Sequence, residues 1–319
     1  MSHRPRVLIT RWYPPERVAP LAARAEVLVP AEEGGCFSDR EVRQIAPSLA
    51  AIINQGELAI DRALIAAAPQ LRIVANAAIG VNNLDLAALR ERTIWGTNTP
   101  TAFADATADC TLGLLLMLAR RLGEADRFVR ADRWQAFEPG RWDGILLRGR
   151  TLGLVGFGNI GRAVARRAEA FGMQVLHHTR RPTGHPGWRP LDELLPGADF
   201  VSLHLPLNPD SRGLINASRL SQMKRGAFLI NVARGSVVDE AALLSALRSG
   251  QLGGAALDVF ADEPRVPPEL RTMENVILTP HLGGGTQAGR RLAQEQCVEN
   301  VRRVLQGERP LPECVVTAA

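Results

Sequence analysis

The segment Thr151-Leu152-Gly153-Leu154-Val155-Gly156-Phe157-Gly158-Asn159-Ile160-Gly161 carries the clearest structural instruction in this chain. An apolar run enters a G-x-G-x-x-G turn, and Val164, Ala168 and Phe171 follow it at helical spacing. Strand, turn and helix in that order are what the turn needs to bind phosphate. The first glycine permits a tight turn, the second lets the backbone approach a pyrophosphate, and the third lets the helix pack closely. The phosphates then rest on free N–H groups at a helix N-terminus, so Gly156, Gly158, Asn159, Ile160 and Gly161 are expected to form a dinucleotide-binding turn.

Outward from this turn, apolar runs alternate with amphipathic segments, the pattern of parallel sheets with crossover helices. After the turn, strands are expected at 152–155, 173–176, 200–203, 227–231, 255–259 and 276–279, six in all, as a complete dinucleotide-binding fold requires. Before it, candidate strands are 7–10, 26–29, 51–53, 72–75 and 93–96, with a helical stretch at 61–68. The predicted fold is α/β with two doubly wound parallel-sheet domains: a central Rossmann dinucleotide-binding domain and a flavodoxin-like substrate (lid) domain. Helical stretches at 100–120 and 286–305 lead into and out of the central domain. The expected domains are therefore residues 1–99 with 286–319, and residues 100–285.

With 319 residues, 46% of them hydrophobic, the chain is long enough for about two cores. The longest apolar run, Leu114 to Ala119, is far too short to span a bilayer. Met1-Ser2-His3-Arg4-Pro5-Arg6 has no signal-peptide apolar region, so a cytoplasmic location is expected. Cys36, Cys110, Cys297 and Cys314 have no metal-type spacing and read as reduced thiols; no metal site is expected. The net charge of +5 is spread among interleaved acids, which argues against a nucleic-acid partner. Lys224 is the only lysine, which leaves little room for Schiff-base chemistry. Tyr13, the only tyrosine, has Arg17 four residues later, so the Tyr-xxx-Lys pair of short-chain dehydrogenases is impossible.

Further stretches stand in a fixed order around the glycine turn: Asn76 to Asp85, Asp105 to Asp109, Ile230 to Asp239, Ala256 to Phe260 with Glu263-Pro264, and Thr279-Pro280-His281-Leu282-Gly283. Taken together, end to end, they resemble the D-isomer-specific 2-hydroxyacid dehydrogenase family. The Asp105 to Asp109 stretch is most similar to its glyoxylate and hydroxypyruvate reductase branch. That resemblance implies reduction of a small 2-oxo acid to the D-2-hydroxy acid, a closing cleft between domains, and a homodimer formed by the cofactor domains.

Such a reduction needs a hydride donor, a proton donor and a cation that fixes the carboxylate while polarising the ketone. The resemblance assigns His281 as proton donor, Glu263 as its paired carboxylate and Arg234 as the cation. Each assignment suits its chemistry. A paired carboxylate favours imidazolium and orients the ring, and a planar guanidinium fork suits two oxygens better than an ammonium does. The family also places the substrate carboxylate on backbone N–H groups, here those of Ile79 and Gly80. Pro206 and Val232 are expected to line the adenosine and nicotinamide pockets. Asp258 is expected to meet the carboxamide, and His281 and Gly283 to adjoin the cofactor.

NAD-selective enzymes place an acid about 20 residues beyond the glycine turn to bind the ribose hydroxyls. Thr179 stands there instead, followed by Arg180 and Arg181. Guanidinium donors suit a 2′-phosphate, so NADP(H) is expected to be preferred, with NAD(H) as the alternative. Three features depart from the family pattern. Trp134 and Phe137 stand where a Trp-xx-Trp pair is usual. Ile53-Asn54-Gln55 places amides at Asn54 and Gln55, one of which is expected to meet a polar substituent of the substrate, with Asn54 the candidate site residue. The turn after His281 has an additional glycine. Competing readings are a dehydrogenase for bulkier, phenylpyruvate-like oxo acids with NAD(H), a phosphite dehydrogenase, whose anion-binding turn carries Lys where Ile79 stands, and a dinucleotide-sensing corepressor.

Overall fold

The computed structural model describes residues 4–56, 58–182 and 184–317. In chain order the strands are β1 (Arg6–Ile9), β2 (Glu26–Leu28), β3 (Leu49–Asn54), β4 (Ile73–Asn76), β5 (Trp95–Thr97), β6 (Thr151–Val155), β7 (Gln174–His178), β8 (Phe200–Leu203), β9 (Ala227–Asn231), β10 (Leu252–Leu257), β11 (Val276–Leu278) and β12 (Val315–Thr317). The chain divides into two compact units. Unit 1 holds the residues up to Phe103 and those from Thr286 onward; unit 2 is Ala104–Gly285. The first division falls four residues later than the sequence suggests, because 100–103 form turns and the helix begins at Ala104. Ala102 and Phe103 pack into the apolar core of unit 1, which holds the chain there before it leaves.

Unit 1 is a six-stranded sheet in the order β12-β5-β4-β3-β1-β2. β3 and β4 are buried along their whole lengths, as expected for parallel strands covered on both faces. Helix Gln287–Leu305 returns to this unit, and its Ala293, Cys297, Val298, Val301 and Val304 pack with Val7, Ile9, Ile53 and Ala75. Thr286 caps it by accepting from Gly289 N at 3.0 Å. One strand goes beyond the sequence expectation: β12 pairs antiparallel to β5, so the sheet is not wholly parallel. Its three residues are too few to show a period. Its place is fixed by Thr317 Oγ1, which accepts from Gly96 N at 2.7 Å and donates to Ile94 O at 3.2 Å.

Unit 2 is a wholly parallel sheet in the order β11-β10-β9-β8-β6-β7, with each of the six expected strands present. β7 and β8 flank β6, so the connections leave β6 in opposite directions and open a crevice over its carboxyl end. A parallel bridge, His177 to Trp188, extends the sheet beyond β7. Core residues fill both faces: Leu154, Val164, Ala168 and Ile230 on one, Val155, Val201, Leu229 and Leu257 on the other. No helix among the described residues is long and apolar enough to cross a membrane.

Candidate active site

Three charged residues expected from the sequence follow three adjacent strands of unit 2, so they share one sheet edge: Arg234 after β9, Glu263 after β10 and His281 after β11. Local bonds shape each loop. Asn231, at the end of β9, accepts from Ala233 N at 3.0 Å and donates from Nδ2 to Arg234 O at 3.1 Å. Arg234 is extended, with Nη1 donating to Ala233 O at 2.6 Å. Burial lowers its guanidinium below the usual arginine value, opposed by the Glu263 charge. Gly235 comes next, and a Cβ there would stand 1.9 Å from the Phe260 carbonyl carbon. Only glycine lets the Arg234 loop approach the Glu263 loop so closely.

Glu263 Oε2 lies 2.7 Å from His281 Nδ1, and Oε1 accepts from Phe260 N at 3.0 Å. Partial burial works to raise this carboxyl, but the bonds from His281 and Phe260 and the charges of His281 and Arg234 outweigh it. The result lies below the ordinary glutamate value. With Nδ1 held by the carboxylate, Nε2 is the ring nitrogen left for a reacting group. A cavity of about 300 Å³ lined by Phe260, Pro264, Val266, Leu278 and Pro280 opens beside the pair.

His281 has φ of +52°, a left-handed conformation that is uncommon outside glycine. Such a residue persists only when its surroundings over-determine it. Asp258, 1% exposed, does this: its backbone carbonyl accepts from His281 N at 2.9 Å. Its Oδ1 accepts from Thr279 Oγ1 at 2.6 Å and Leu282 N at 2.8 Å, and its Oδ2 from Gly283 N at 2.8 Å. Sequence reasoning places Asp258 at the cofactor and misses this second task. The glycine-rich segment after His281 is closed by Gly285 N donating to Leu282 O at 2.7 Å.

The glycine turn fits a dinucleotide. Gly156 has φ of +102°, and a Cβ on it would stand 2.4 Å from His204 O. A Cβ on Gly161 would stand 2.4 Å from Gly156 O, whereas one on Gly158 would meet nothing within 4 Å. The outer side of the turn is therefore an open cradle. Gly158 caps helix Asn159–Ala170 without a side-chain cap, so no capping side chain competes with an anion at this N-terminus. Arg162, not singled out from the sequence, braces the turn by donating to Phe157 O at 3.2 Å and Asn159 Oδ1 at 3.0 Å. Its signal was its place one turn into the helix. Phe157 stacks on buried His177 with ring centroids 3.7 Å apart, and burial pushes His204 down to about 3. Both histidines are thus built into the scaffold.

At the end of β7, Thr179 Oγ1 donates to Arg181 O at 2.6 Å and Trp188 Nε1 donates to Thr179 O at 3.2 Å. Arg181 is exposed, and Arg180 Nη1 meets Asp210 Oδ2 at 2.7 Å. Pro206 is exposed in the loop after β8 and accepts from Ser211 Oγ at 2.7 Å, while Val232 is buried in the core.

In unit 1, Ile79 and Gly80 occupy the loop after β4. Asn98 Nδ2 donates to Ile79 O at 2.8 Å and Asn76 Nδ2 to Gly80 O at 2.8 Å. Their carbonyls are held, and among the described residues their N–H groups donate to no backbone carbonyl. Asn54 departs from expectation. It is fully buried, donates to Leu58 O at 2.9 Å and accepts from Gly56 N at 3.3 Å. Its amide closes its own loop instead of facing a ligand, since a buried amide without partners would be costly. Phe137 is 84% exposed and Trp134 59%.

Comparison with known proteins agrees with this geometry. Residues 112–283 match the D-isomer specific 2-hydroxyacid dehydrogenase, NAD binding domain. The chain is 41% identical to a glyoxylate reductase of Thermococcus onnurineus over 96% of its length and 95% of the relative's. A crystal structure of a Thermus thermophilus protein superposes with TM-score 0.91 at 43% identity, covering 98% of this chain and all of that one. The NADPH-dependent glyoxylate/hydroxypyruvate reductase of Sinorhizobium meliloti, solved with NADP and malonate, superposes with TM-score 0.82 at 33% identity over 97% of each chain. The chain belongs to the D-isomer-specific 2-hydroxyacid dehydrogenases, in the glyoxylate/hydroxypyruvate reductase branch, and is an NAD(P)-dependent oxidoreductase.

Proposed function

We propose that this enzyme reduces small 2-oxo acids, glyoxylate and hydroxypyruvate, to 2-hydroxy acids, giving the D form where a stereocentre arises, with NADPH preferred over NADH. The observation that carries the reading is the His281–Glu263 pair, 2.7 Å apart on the same sheet edge as Arg234. The bound dinucleotide supplies hydride to C2. His281 Nε2 donates the proton to the carbonyl oxygen, while Glu263 fixes the tautomer and stabilises the imidazolium. Arg234 polarises the carbonyl and holds the carboxylate with its fork, and the Ile79 and Gly80 N–H groups are the backbone anion site for that carboxylate.

Gly156, Gly158, Asn159, Ile160 and Gly161 hold the pyrophosphate, with Pro206 and Val232 beside the adenosine and nicotinamide. Each Asp258 oxygen has about two acceptor directions. Among the described residues Oδ1 uses both and Oδ2 uses one, on Gly283 N, which leaves a single direction for the carboxamide. A cytoplasmic homodimer is the form this reading expects. Support for the second copy is the run of exposed apolar side chains Leu122, Val129, Trp134, Phe137 and Leu146 in unit 2.

The NADPH preference is supported by the absence of an acid at Thr179 and by the exposed Arg180 and Arg181. Replacing both arginines with alanine should weaken NADPH by about ten- to a hundredfold, the worth of a hydrogen bond to a charged group. NADH should change little. Calorimetric dissociation constants for the two cofactors test this, and an equal loss for both would sink the phosphate-clamp reading. Initial rates with glyoxylate, hydroxypyruvate and phenylpyruvate test the substrate class: turnover confined to the bulky acid would move the substrate while keeping the chemistry.

A further inference from the structure

The two arginines after β7 are not equivalent. Arg181 makes no ion pair among the described residues, whereas Arg180 Nη1 lies 2.7 Å from Asp210 Oδ2. Asp210 belongs to the loop after β8, and β7 and β8 flank β6 on opposite sides. The pair therefore links the two loops on either side of the glycine turn. Asp210 is itself positioned: its N–H donates to Asn208 Oδ1 at 3.0 Å, and Asn208 N in turn donates to Ser211 Oγ at 2.9 Å. The strand end that lacks an acid at Thr179 thus receives a carboxylate from a neighbouring loop.

We infer that Asp210 is a cofactor-selectivity residue, a carboxylate that competes with the 2′-phosphate of NADPH for Arg180. It holds the preference for NADPH over NADH below what the two arginines alone would give. The inference rests on the phosphate-clamp reading of Arg180 and Arg181. Both partners of the pair are largely exposed, at 77% and 68%, so a phosphate dianion is able to displace the carboxylate. The displaced carboxylate then stays near a like charge, an unfavourable juxtaposition that NADH, with a free 2′-hydroxyl, does not create. An acid opposite Arg180 thus lowers the affinity for one cofactor and leaves the other unaltered.

The test is calorimetric titration of Asp210→Asn, Arg180→Ala/Arg181→Ala and the unaltered enzyme with NADPH, NADH and 2′,5′-ADP at low ionic strength. An exposed ion pair is worth up to about 1 kcal/mol, so Asp210→Asn should tighten NADPH and 2′,5′-ADP about two- to fivefold. NADH should be unchanged, and the gain should shrink as salt is added. If Asp210→Asn leaves NADPH unchanged or weakens it while the double arginine variant loses NADPH selectively, Asp210 does not compete with the phosphate and the inference is overturned with the clamp intact. Equal tightening of NADPH and NADH overturns it as a general charge effect. Equal loss of both cofactors in the double arginine variant overturns the clamp and the inference together.

Discussion

The carboxyl-edge loops of the two units solve opposite problems. In unit 1 the polar side chains turn inward: Asn54, Asn76, Asn83 and Asn98 bind loop carbonyls or one another. What such a loop presents is backbone N–H. In unit 2 the backbone is fixed by Gly235, Gly283 and the buried Asp258, and the loops present charged side chains, Arg234, Glu263 and His281. One unit uses side chains to shape backbone; the other uses backbone to aim side chains. The difference predicts how each fails. A side-chain function is lost with a single substitution at its own position, whereas an amide function is damaged only through the residues that hold its loop.

The largest effect expected from this contrast is at His281. Replacing it with alanine should lower the rate of oxo-acid reduction by about 10²- to 10⁴-fold, the usual worth of a positioned proton donor. The dissociation constant for NADPH should move little, since the glycine turn is untouched. Steady-state kinetics and cofactor titration separate the two, and turnover close to the original value would remove His281 from its role. Glu263→Gln is the next step down. The Glu263 carboxyl is depressed, so its contribution is complete above the ordinary glutamate value and is lost as pH falls through the lower folded value. At neutral pH it is therefore ionised and favours imidazolium. The amide removes that charge while keeping the shape, so the rate of oxo-acid reduction at neutral pH should fall, though by less than in His281→Ala. The loss should shrink as pH falls through the depressed Glu263 value, where the unaltered carboxyl is itself protonated. A loss that is the same at every pH would mean that the carboxylate acts through its shape and not through its charge.

Much of unit 2 was legible because its signals are local. The glycine turn, the six apolar runs and the three charged residues each sit in a short segment with its own chemistry, and parallel strands buried on both faces read as continuous apolar runs. The misses depend on bonding partners that the pattern of the chain does not show, some distant in sequence and some close by. β12 exists because Thr317 bonds Gly96 and Ile94 across more than 200 positions. Asn54 looks like a substrate contact until Leu58 and Gly56 are seen to use its amide. Asp258 shows one role by position and a second only once its carboxylate is seen to hold the left-handed His281 turn. Gly235 lies in plain view in the sequence, yet its necessity comes from Phe260, 25 residues on.

The smallest effect is the one most diagnostic of the contrast. Asn98→Ala removes the 2.8 Å bond that holds the Ile79 carbonyl, without touching the N–H groups of Ile79 or Gly80. A hydrogen bond of this kind is worth about 0.5–1.5 kcal/mol net, so KM for glyoxylate should rise by about three- to tenfold. Because a carboxylate anchor holds ground state and transition state alike, kcat should stay nearly constant. The dissociation constant for NADPH should not change, which distinguishes a loosened loop from a destabilised protein. If kcat falls and KM does not, the amides act mainly on the transition state, and unit 1 takes part in the chemistry as directly as the charged loops of unit 2. If neither changes, the Ile79 turn holds its shape without Asn98, and the inward-facing asparagines serve folding alone.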